Sequence, residues 1–75
     1  MENRVKKVIA DVLILDILEI KDDSSPDTID VWDSMNQMNI VVALEEEFDI
    51  QISDEDVMEM LNVKLIREII KSYIQ

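Results

Sequence analysis

Trp32-Asp33-Ser34-Met35 leads into an apolar-periodic segment that closes on Ala43-Leu44-Glu45-Glu46-Glu47-Phe48. Asp33-Ser34 thus stands where a helix N-terminus belongs. A serine hydroxyl there can accept a hydrogen bond from a free backbone N–H and act as a cap. It can also carry an anionic substituent, which the positive end of the helix dipole favours. Neither role makes Ser34 a catalyst. The sequence has no His, and no Lys adjoins Ser34 to take its proton, so any chemistry at the hydroxyl must come from another protein.

Composition narrows the function classes further. Seventy-five residues make one small domain, residues 1–75, whose 48% hydrophobic content suffices for a single core of modest stability. The absence of Cys and His removes disulfides, thiolate metal sites, Cys nucleophiles and the commonest acid–base residue. Lys6 and Lys7 interrupt the N-terminal segment, which therefore lacks the apolar run of a signal peptide. No stretch approaches the apolar length of a membrane span. The expectation is a cytoplasmic, soluble, monomeric domain rather than an enzyme.

Charge is segregated along the chain. Thirteen acids and no Lys or Arg lie between Asp22 and Glu59, while all seven basic residues lie outside, from Arg4 to Lys71. A field of one sign excludes recognition of a nucleic-acid backbone, which needs cationic contacts. It would steer basic protein surfaces toward the region around Ser34. The plainer reading is a solvated acidic face, and it is preferred for the chain ends; in the middle, coincidence with Ser34 favours partner docking. A net charge of −11 also predicts self-repulsion that salt relieves.

The elements that position Ser34 can be read from periodicity. Val5, Val8, Ile9, Val12 and Leu13 share one face of a helix spanning about Glu2 to Leu13. Leu15, Ile17, Leu18 and Ile20 have mixed spacing that either extends this helix or anchors a loop, and Asp16 can cap a short turn. Lys21 to Val31 is turn chemistry and reads as a long loop, anchored by Ile29 and Trp32. Helix two runs from Ser34 to about Glu47. Ile50-Gln51-Ile52 is a brief extended connection. Ser53 caps a short third helix, and Asn62 caps the last, Val63 to Tyr73.

Helix two carries two apolar stripes. At about 100° per residue, Ile40, Val41, Leu44 and Phe48 cluster, and Met35, Met38 and Val42 lie roughly 130° away. Either both stripes are core, or the second meets partners, a task suited to adaptable methionine.

Asp-Ser-Met followed by an apolar helix ending Ala-Leu-Glu-Glu-Glu-Phe resembles the modification site of acyl carrier proteins, from about Val5 to Tyr73. The resemblance implies an all-α four-helix bundle with a long loop between helices one and two and a short third helix. It implies 4′-phosphopantetheine on Ser34, its thiol holding acyl groups as thioesters. It implies docking through Asp33, Met35, Met38, Asn39, Val42, Glu45, Glu46, Asp54 and Asp56. The implied partners are a phosphopantetheinyl transferase and acyl-loading, condensing or acyltransferase enzymes with basic docking surfaces. Membrane insertion and nucleic-acid binding are not implied.

The sequence departs from that family's pattern in three places. Asn36 and Asn39 stand where acids are usual, which weakens charge recognition beside the serine. Trp32 stands where a glycine is common, and Asp49 takes the place of another glycine, at a position that calls for a left-handed backbone. Trp-Asp-Ser-Met resembles stand-alone carriers of specialised lipid, polyketide or modified-sugar pathways. The alternatives are a peptidyl or aryl carrier of nonribosomal synthesis and an unmodified acidic helical adaptor. An EF-hand fails, because the loop from Asp22 has Pro26 at its fifth position and no glycine at its sixth.

Overall fold

The computed structural model describes residues 2–75, and of Glu2 only the backbone. Among the described residues there are four α-helices: α1 (Glu2–Leu13), α2 (Ser34–Phe48), α3 (Asp54–Met58) and α4 (Val63–Ile74). A 3-10 turn, Ile17–Glu19, follows α1. No described helix is long and apolar enough to cross a membrane.

Each boundary has a local cause. α1 ends where Ile14 turns left-handed (φ 58°), letting the Leu15 N–H donate to the Ala10 carbonyl. Asp16 then caps the 3-10 turn, and the Glu19 carboxylate accepts from the Asp16 N–H, so the mixed apolar run does not extend α1. α2 ends at Asp49, left-handed at φ 55° as its position required. Ser53 and Asn62 cap α3 and α4 through the N–H groups of Asp56 and Leu65.

α1 and α2 run antiparallel, because Arg4 near the start of one pairs with Glu47 near the end of the other at 3.1 Å. The Arg4 guanidinium also lies 4.4 Å from the centre of the half-buried Phe48 ring. Val5 and Ile9 of α1, Ile40 and Leu44 of α2, and Ile66 and Ile70 of α4 are buried together in the core.

The long loop is anchored more firmly than its composition suggests. Trp32 and Ile20 are buried, Ile29 is half-buried, and the carbonyls of Ser24 and Asp22 accept from the first N–H groups of α4, those of Val63 and Lys64. Both oxygens of Asp22 accept from Arg67, at 2.8 and 3.2 Å, and Lys6 lies 3.4 Å away. The Arg67 hydrogen bonds lower the Asp22 pKa from its ordinary 3.8 to about 2; partial burial opposes this and Lys6 assists it.

These contacts refine the picture of charge along the chain. Arg67 is a buried cation at the back of the loop. The mid-chain acids are not all unopposed, since Asp22 and Glu47 each have a cation from the chain ends.

Candidate functional site

Ser34 is the first residue of α2 and is exposed, but it is not the cap. Asp33 takes that role with extended backbone (φ −97°, ψ −175°), and its Oδ1 accepts from the Asn36 N–H at 2.8 Å. An Asx residue caps as well as serine does, so the Asp33 carboxylate relieves Ser34 of that duty. Among the described residues the Ser34 hydroxyl has no hydrogen-bond partner. It sits at the positive end of a fifteen-residue helix, where an attached phosphate is electrostatically favoured.

Beside Ser34 lies an open groove of about 800 Å³ between the start of α2, the loop before it and the end of the α3 segment. Pro26, Met38, Val57 and Leu61 line it along with Ser34. An exposed hydroxyl at a helix N-terminus, opening onto a largely apolar groove, fits a covalently held arm whose first group is a phosphate.

The site is braced by two amides. Gln37 accepts from the Trp32 indole N–H at 2.6 Å and donates to the Met60 carbonyl at 3.2 Å. Asn36 donates to the Val31 carbonyl at 2.7 Å and accepts from the Asn39 amide at 3.2 Å. A carboxylate at position 36 would have no hydrogen to give Val31, which explains physically why an amide replaces an acid there. Neither brace was among the expected site residues. A polar Gln five positions after a buried Trp was the available signal.

Met35, Met38 and Val42 are 74%, 54% and 51% exposed, whereas Ile40, Val41 and Leu44 are buried. The second stripe therefore lies outside the core, and exposed Met58 and Leu61 add to the apolar surface at the α3 end. Asn39, Glu46 and Asp54 are exposed.

Besides the cap Asp33, two more of the expected docking acids already have tasks within the fold. Glu45 is half-buried, and its carboxylate accepts from the Ile52 N–H at 2.8 Å, fixing the connection after α2. Asp56 accepts from the Tyr73 hydroxyl, which itself accepts from the Ser53 N–H at 3.0 Å, tying α3 to the end of α4.

A family model described as "Phosphopantetheine attachment site" matches residues 3–70. The match runs from the second residue of α1 to Ile70 within α4 and takes in α2, α3, the loop before α2 and the Asp33-Ser34-Met35 element. By this match the chain belongs to the phosphopantetheine-attachment family, whose domains bear 4′-phosphopantetheine covalently as carriers.

Proposed function

We propose that the protein is an acyl carrier protein that bears its 4′-phosphopantetheine on Ser34 and presents acyl groups, held as thioesters, to partner enzymes of a lipid, polyketide or related specialised pathway. The observation that supports it most is the state of Ser34: exposed, released from capping by Asp33, and opening onto the groove. When bound, the arm supplies a thiol that the sequence itself lacks, since there is no Cys. The protein's own part is to hold the attachment point at a helix N-terminus and to raise the local concentration of tethered cargo at a partner's active site.

Partner enzymes with basic surfaces fit the exposed α2 stripe of Met35, Met38 and Val42, flanked by Asp33, Asn39, Glu46 and Asp54. Glu45 and Asp56 support this surface from within the fold as much as they add charge to it. The transferase that installs the arm is the first such partner. Intact mass after incubation with coenzyme A and a phosphopantetheinyl transferase is the test. Wild type should gain one phosphopantetheine and Ser34→Ala none; an adduct that persists in Ser34→Ala overturns the assignment.

A further inference from the structure

The groove beside Ser34 is lined on its inner side by Trp32 and Met60, and Gln37 bonds to both. Trp32 and Met60 are buried members of the core that also border the groove, so they stand where the groove meets the core. Gln37 joins them: its Oε1 accepts from Trp32 Nε1 and its Nε2 donates to the Met60 carbonyl oxygen. One side chain in the first turn of α2 thus ties the loop before that helix to the segment after α3. The joint spans five residues in one direction and 23 in the other.

A flexible chain passing from the groove into the core, between α2 and the end of the α3 segment, has to part this clasp. Parting it strands an indole N–H and a peptide carbonyl, neither of which has another side-chain partner. Two hydrogen bonds of ordinary net strength make the parted state about tenfold rarer or more. The groove itself needs no such opening.

Resting on the carrier reading above, we propose that Gln37 is a specificity-determining residue. It keeps tethered cargo out of the core. The chain therefore suits short or compact acyl groups and gives long alkyl chains no shelter.

The test compares acetyl and dodecanoyl cargo, installed on the full chain from the corresponding acyl-coenzyme A by a phosphopantetheinyl transferase that accepts both. Intact mass records loading. The readouts are the rate of thioester cleavage by hydroxylamine, the thermal midpoint, and the emission of Trp32, the sole tryptophan. In wild type the two thioesters should be cleaved at matching rates, and dodecanoyl cargo should leave the midpoint unchanged. In Gln37→Leu, which has neither hydrogen bond, dodecanoyl cargo should be cleaved about tenfold more slowly, raise the midpoint and shift Trp32 emission. Gln37→Glu, which keeps the acceptor for Trp32 but loses the donor to Met60, should fall between.

A dodecanoyl thioester already protected in wild type overturns the inference, whether or not Gln37→Leu folds. So does a folded Gln37→Leu that leaves it unprotected. Failure of both cargoes to load on Ser34 is a different result, read from mass alone. It removes the carrier reading and this inference with it.

Discussion

Truncating the two apolar stripes of α2 should separate stability from recognition. Leu44 is fully buried among side chains of α1 and α4, so Leu44→Ala leaves a cavity and should cost about 2–5 kcal/mol. A chain of 75 residues has a total stability of only about 4–11 kcal/mol, so this loss is a large share of it. The thermal midpoint should fall by at least about 10 °C. Met38 and Val42 are more than half exposed, so their truncation leaves no cavity and should cost under about 1 kcal/mol. Phe48→Ala should fall near the low end of the core range, about 2–3 kcal/mol, because the ring is half-buried and partly covered by Arg4. Loading kinetics should show the reverse order, with Met38→Ala and Val42→Ala slowed while still folded. Glu46 is the clean site for charge reversal, since Glu45 also holds the Ile52 N–H, and Glu46→Lys should slow association most at low salt. Thermal melts beside transferase kinetics on the same variants decide the matter. If Met38→Ala and Val42→Ala melt as early as Leu44→Ala, the stripe is core and docking lies elsewhere.

Three further perturbations follow from the charge and the backbone. The Asp22 pKa is lowered from 3.8 to about 2, so its stabilising effect is fully present above pH 4 and is lost as pH falls toward 2; Asp22→Asn should flatten the acid limb of the stability curve over that window. At neutral pH the charge of −11 should make added salt raise the midpoint, and a flat salt titration would show repulsion to be unimportant. Ile14 is left-handed and 88% exposed, so Ile14→Gly relieves about 1–2 kcal/mol of backbone strain against about 0.5–1 kcal/mol of added chain entropy. The melt should shift up by a few degrees, and a downward shift would mean that Ile14 makes a contact worth more than its strain.

Local rules carried the sequence reading far. The spacing of Val5, Val8, Ile9, Val12 and Leu13 placed α1 within the bounds observed, and Asp16, Ser53 and Asn62 cap the elements they were expected to cap. Asp49 is left-handed because a helix end without glycine needs a residue that tolerates that region. What periodicity does not reveal is pairing across the chain. Arg67 and Asp22 lie 45 positions apart, and no spacing rule joins them. A cation set between Ile66 and Ile70 on the buried face of α4 was nonetheless a sign that it needed an internal partner. The site shows the same division. The position of Ser34 at a helix start follows from sequence, but Asp33 acting as the cap, and Gln37 and Asn36 acting as braces, depend on where the preceding loop returns.

The central claim is that Ser34 carries the arm, and peptide mapping of the modified protein tests it most directly. After incubation with coenzyme A and a transferase, fragmentation should place the phosphopantetheine on the peptide containing Ser34 and leave those with Ser24, Ser25, Ser53 and Ser72 bare. An adduct on any of those four, or an unmodified Ser34 under conditions that load another carrier in the same tube, would contradict the account.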